Sequence, residues 1–178
     1  MDDGFKNNNV GNAKEKFGDI WLRARHNALA HMDAATVAKS KIRLCETITS
    51  ILIIIPIFSS TLSNRCSFFQ KWDMVISLVC SLGALFLTLV GFVQEYRNNY
   101  NYHTKSHSIF NNIAQKSRRG SNPFLDENEK KYLIRSLEEM FETAKNNTVE
   151  PTDENYNRGW ERMKNMPSLP FGLNIKDE

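Results

Sequence analysis

Two strips without a single charge constrain this chain more than any other feature. Residues 47–64, TITSILIIIPIFSSTLSN, make 18 such residues, and residues 74–94, MVISLVCSLGALFLTLVGFVQ, make 21. As helices rising 1.5 Å per residue they extend about 27 Å and about 31 Å, against a hydrocarbon core of about 30 Å. An amphipathic helix of a soluble domain carries a polar stripe every turn. The second strip offers only serines and a threonine, and ILIIIPIF offers nothing polar. Pro56 would disturb a soluble helix, yet transmembrane helices tolerate proline because neighbours re-satisfy the freed backbone groups.

Only RCSFFQKWD, residues 65–73, separates the strips. The expectation is therefore a hairpin with spans at about 47–64 and 74–94 and an extracytoplasmic loop at 65–73. The competing reading, a two-helix core of a soluble domain, leans on the negative mean hydropathy of −0.45. That average conceals a contrast between an apolar middle and polar, charged flanks. Lys39, Lys41 and Arg43 precede the first strip, and Arg97 and Lys105 follow the second. The loop holds only Arg65 and Lys71, partly offset by Asp73. By the positive-inside tendency both termini face the cytoplasm.

Net charge of +3 and a pI near 8.7 are too mild to point to nucleic acid, and no sequence-specific nucleic-acid binding is expected. Cys45, Cys66 and Cys80 are widely spaced and read as free thiols, with no metal-ligand spacing. MDDGFKNNNV has neither a basic n-region nor an apolar h-region, so no cleaved signal peptide is expected. No phosphate-cradling glycine loop, nucleophile elbow or paired-cysteine zinc site occurs, and no cofactor is expected.

Ahead of the first strip runs a seam spaced alternately four and three: Phe17, Trp21, Ala24, Ala28, His31, Ala35, Ala38, Ile42, Cys45. This is heptad spacing, and its alanines admit a partner helix at close range. A helix contact explains it more simply than a ligand groove. Beyond the second strip, Phe92, Tyr96, Asn99, His103, Ser106, Phe110 and Ile113 repeat the spacing. Two long cytoplasmic helices, 13–46 and 95–119, are thus predicted to pack antiparallel. His103 and His107 stand at i, i+4 as metal-binding histidines do, but no carboxylate or cysteine completes a set and no metal site is expected.

Gly120 closes that helix and Ser121-Asn122-Pro123 turns the chain. Asp126, Glu127 and Glu129 favour a new helix N-terminus, and Leu133, Leu137, Met140 and Ala144 give the helix at 126–145 its apolar stripe. Residues 1–12 are expected as a disordered tail, 13–145 as the domain, and 146–178 as a C-terminal tail that can dock through Trp160, Leu169 and Phe171. The fold class is an all-α membrane protein: a two-transmembrane helical hairpin with long cytoplasmic helix extensions and a short folded-back C-terminal helix.

Within the second strip, Ser77, Ser81, Ala84, Thr88 and Gly91 form a column of small residues, met by Asp73 at one end and Glu95 at the other. Small residues let helix backbones approach in lipid, and hydroxyls bond across helices. The sharper reading is that several copies line a narrow polar path whose acidic mouths favour cations. A single hairpin encloses no pore, so that reading requires a homo-oligomer such as a tetramer.

Together these residues resemble the SLATT domains, two-transmembrane effectors of bacterial nucleotide-linked and antiphage systems. The resemblance covers roughly 15–145. It rests on Trp21, Arg23 and Ala24 (W-x-R-A) opening an alanine-rich helix, on two spans with a tight loop, and on Glu95, Tyr96, Asn99 and Tyr100 (E-Y-x-x-N-Y), with His107 and the N-N-I of residues 111–113 beyond. It implies a pore-forming effector in the bacterial inner membrane, held closed until infection or a nucleotide-type signal releases it. The implied partners are membrane lipid and a signal-producing nucleotidyltransferase or its nucleotide product. The family is not enzymatic. A nucleotide bound directly would need cations and stacking groups, for which Arg97, His103, Lys105, Arg118 and Arg119 are candidates; positive-inside anchoring accounts for the same charges. A non-conducting, membrane-anchored scaffold that recruits a cytoplasmic partner is the alternative function.

Overall fold

The computed structural model describes the backbone of residues 3–63, 67–89 and 92–173, and the side chains of 13–62, 71–88 and 93–173. It is all-helical, without a strand among the described residues. In chain order the helices are α1 (Asp3–Ser63), α2 (Ser67–Leu89), α3 (Phe92–Gly120), α4 (Glu127–Asn146) and α5 (Asp153–Lys164), followed by a 3₁₀ turn at Pro170–Gly172. The backbone is helical from Asp3, inside the segment expected as a tail. Lys71, Trp72 and Asp73, expected in a loop, belong to α2, while Arg65 and Cys66 lie outside the described residues. Pro56 sits within α1.

The chain divides into two compact units, Met1–Ala35 with Asn101–Glu178, and Thr36–Tyr100. The first is held by an internal core. Along α1 the heptad seam is buried: Phe17, Ala24 and Ala28 are fully covered and Trp21 and His31 nearly so. It meets α3 in antiparallel register. Ser117 Oγ donates to the Phe17 carbonyl at 2.6 Å. Arg25 Nη1 donates to Asn111 Oδ1 at 2.7 Å, and His107 Nδ1 donates to the Ala28 carbonyl at 2.8 Å. Phe110 and Ile113 of α3 and Leu137 and Phe141 of α4 complete the core. Each such side chain, fully buried, contributes about 1.5–3 kcal/mol relative to exposure.

A capping box starts α4 as its acidic opening predicts: Asp126 Oδ1 accepts from Glu129 N at 2.7 Å, and Glu129 Oε2 accepts from Asp126 N at 3.0 Å. The buried stripe of α4 is Ile134, Leu137, Phe141 and Ala144, with Leu133 and Met140 packed at its edge.

The C-terminal segment is more ordered than a tail. Thr152 caps α5, which lies on α1. Tyr156 Oη donates to Asn27 Oδ1 at 3.0 Å, His26 Nε2 donates to the Tyr156 carbonyl at 2.9 Å, and Arg162 pairs with Asp33 at 2.5 Å. Gly159 allows the close approach: a Cβ there would stand 3.1 Å from the backbone nitrogen of Ala30.

Among the described residues the second unit has no such core. Its share of α1 and its helix α2 are long and apolar enough to cross a membrane, and their most apolar windows are only 11 % and 7 % buried. Ile53, Ile57 and Phe58 of α1 and Leu78, Val79, Leu82 and Phe86 of α2 are all exposed. A core helix of a soluble domain would hide these side chains. Three hydroxyls in the strip turn inward to their own helix: Thr49 donates to the Cys45 carbonyl at 2.9 Å, Ser50 to the Glu46 carbonyl at 2.8 Å and Thr61 to the Ile57 carbonyl at 2.8 Å, while the buried Ser59 Oγ has no partner among the described residues. Such bonds satisfy a hydroxyl where no water is at hand.

Candidate functional site

The small-residue column takes its position from the way α2 meets α1 inside the second unit. The less exposed residues Ile76, Cys80, Gly83 and Leu87 share one face of α2, and a Cβ added to Gly83 would touch Leu52 at 3.3 Å. At about 100° per residue, the column Ser77–Ser81–Ala84–Thr88 lies roughly 90° around the helix from that face. Ser77 and Ala84 are half-buried at its border, while Ser81 and Thr88 are exposed. The column is therefore not consumed by α1. It is open to a further helix or to a path.

Thr88 Oγ1 donates to the Ala84 carbonyl at 2.7 Å, which leaves its oxygen lone pairs as acceptors. At the column's ends, Glu95 is exposed and Asp73 is half-buried with Oδ1 lacking a hydrogen-bond partner among the described residues. Gly91 lies outside the described residues. Thr88 also borders a cavity of about 430 Å³ shared with Glu46, Thr49, Ser50, Gln94 and Arg97. The polar groups at this end of the strips thus gather in one place.

No cavity among the described residues is bordered by more than one of the five ligand candidates. Arg97 belongs to the second unit, where Nη2 pairs with Glu46 Oε1 at 3.0 Å; Lys41 lies over the neighbouring Tyr96 ring at 5.3 Å. Both members of the ion pair are about half exposed, so it contributes little stability. Lys105 borders a groove of about 550 Å³ between α3 and α4, with Tyr102, Ile109, Glu139 and Met140. Arg118 stands thirteen residues further along α3, roughly 20 Å away. Arg119 is exposed.

His103 has a different role from the one its spacing suggested. It pairs not with His107 but with His31, Nδ1 to Nδ1 at 3.0 Å, and His31 stacks on Phe110 with ring centroids 5.4 Å apart. Burial holds the His31 imidazole at a pKa of about 4, helped by His103 and His107. Burial lowers His103 as well. No group of three His, Cys, Asp or Glu side chains among the described residues is placed to hold a metal ion.

Three relationships were not legible in the sequence: the His31–His103 pair, the Asp33–Arg162 bridge, and the cavities that Arg118 borders with Arg25 and with Lys14. The signal for the last was present as a stripe, because Lys14, Trp21 and Arg25 recur at i, i+7 and i+11 on α1.

Comparison with protein-family models, with curated proteins and with solved structures finds no match.

Proposed function

We propose that this chain is a pore-forming effector of the SLATT type in the bacterial inner membrane. Its two apolar helices form a transmembrane hairpin with both termini in the cytoplasm. Several copies assemble with the column of α2 facing the axis, and a nucleotide-type signal or a partner protein releases a closed state in an antiphage response. Opening admits ions and collapses the membrane potential.

The observation that carries this reading is the contrast between the two units. One buries its apolar residues in its own core, while the other turns isoleucines, leucines and phenylalanines outward along both long helices. Exposed apolar surface of this extent calls for lipid or other subunits. The column adds direction: Ser81 and Thr88 are small, hydroxylated and not covered by α1. Carboxylates at Asp73 and Glu95 favour cations over anions at its ends.

A membrane-anchored scaffold uses the same outward apolar surface and needs no conduction. The two separate on membrane potential, read with a voltage-sensitive dye in bacteria expressing the chain. Depolarisation by wild type that is lost in an equally expressed Thr88→Leu supports the pore. Equal potentials for the two favour the scaffold.

A further inference from the structure

On the first unit, two adjoining cavities carry cations and, among the described residues, no acids. One, of about 460 Å³, is bordered by Trp21 and Arg25 of α1, Asn111, Gln115 and Arg118 of α3, and the segment from Met166 to Pro170. The other, of about 450 Å³, shares Arg118 and Pro170 and adds Lys14 and Ser121. Among the described residues no carboxylate borders either one. The contrast with the other clefts is chemical: the groove at Lys105 contains Glu139, and the cavity at Arg97 contains Glu46.

The cations are also uncompensated. Arg23, Arg97, Arg135, Arg158 and Arg162 each pair with a carboxylate. Lys14, Arg25 and Arg118 make no ion pair among the described residues. Arg25 is half-buried and spends one N–H on the neutral Asn111 amide, leaving four of its five donors. Burial without a counter-charge lowers its pKa, so an anion that restored the balance would be bound with gain.

We propose that this cleft binds a phosphate-bearing small molecule with at least two phosphoryl groups. The planar fork of Arg25 suits one phosphoryl oxygen pair. Arg118, which borders both cavities, and Lys14 receive the second group. Gln115 and Ser121 offer neutral donors, and Trp21 supplies an apolar wall. The volume lies in the usual range for small-molecule sites. This gives the ligand role considered for Arg118 a definite place, and it holds whether or not the protein conducts.

The test is calorimetric titration of the full chain in detergent micelles with inorganic pyrophosphate, at physiological ionic strength. Wild type and Arg135→Gln, which alters an exposed charge elsewhere, should bind saturably. Arg25→Gln and Arg118→Gln should each weaken binding about tenfold or more, the loss of a charge-assisted contact. Arg118 is exposed, so Arg118→Gln keeps the fold and decides the matter if Arg25→Gln unfolds. No saturable binding by wild type, or equal affinity in wild type and Arg118→Gln, overturns the assignment. Because no ion flux is measured, that result is separate from failure of the pore.

Discussion

Nδ1 of His31 lies 3.0 Å from Nδ1 of His103, so one ring must donate while the other accepts. The contact needs at least one of the two nitrogens unprotonated. His107 is committed elsewhere, since its Nδ1 faces the Ala28 carbonyl and has to carry a proton. This places a neutral histidine pair at the centre of the contact between α1 and α3.

Stability should therefore fall in mild acid. The pKa of His31 is about 4 in the folded chain against 6.5 for an unperturbed histidine. The unfolded chain thus takes up the proton first as pH drops. The contribution is fully present above about pH 6.5 and is lost progressively down to about pH 4, a total of about 3 kcal/mol. Thermal unfolding followed by circular dichroism from pH 7 to 4 checks it. His31→Leu should flatten the dependence across that window, and an unchanged slope would assign the acid sensitivity to other groups.

The docking of α5 should depend on one ion pair. The Asp33 side chain is 3 % exposed and its partner Arg162 is 45 % exposed; Asp33 Oδ2 has no hydrogen-bond partner among the described residues. Arg162→Ala strands a buried carboxylate. Solvent reaches the vacated position, which limits the cost to about 1–3 kcal/mol rather than the larger loss of a fully buried pair. Amide hydrogen exchange should quicken along 153–164 in that variant. Unchanged protection there would mean that Tyr156 and Met163 hold the helix unaided.

Gly120 should resist enlargement. A Cβ at this position would stand 2.5 Å from Cε1 of Phe17 and 2.7 Å from Cδ2 of Leu133. Phe17 is fully buried and has little room to retreat. Gly120→Ala should cost about 1–3 kcal/mol through overpacking, more than alanine's higher helix propensity returns at a helix end. Chemical denaturation with the midpoint compared to wild type measures it; a neutral or stabilising effect would show that Phe17 can repack.

The seam Phe17–Ala38 was legible because seven positions at heptad spacing are apolar or small, apart from His31, and all seven are buried. The outward apolar strips were legible from the absence of charge alone. Helix α5 was not, because its buried positions are Asn155, Gly159 and Met163. A glycine that admits a backbone and an asparagine leave no hydrophobic period to detect. His31 stood in the seam with no visible partner because that partner lies 72 residues away. The cationic cleft was hidden for the same reason: Arg118 stood out among basic residues of α3, but its companions Arg25 and Lys14 come from α1. The column was visible as a stripe, and its place beside the α1-facing side of α2 came only from the packing at Gly83.

Whether that column lines water is the central claim, and thiol modification measures it most directly. In a chain with Cys45, Cys66 and Cys80 replaced by alanine, cysteines are introduced singly at Ser81, Thr88, Val79 and Phe86 and exposed to a membrane-impermeant, water-soluble thiol reagent in intact membranes. Val79 and Phe86 are exposed on the opposite side of α2, about 140–180° around the helix from Ser81 and Thr88. The account predicts that Ser81→Cys and Thr88→Cys react readily while Val79→Cys and Phe86→Cys do not. Column positions as unreactive as these two would contradict it and leave the small residues as a packing seam between helices.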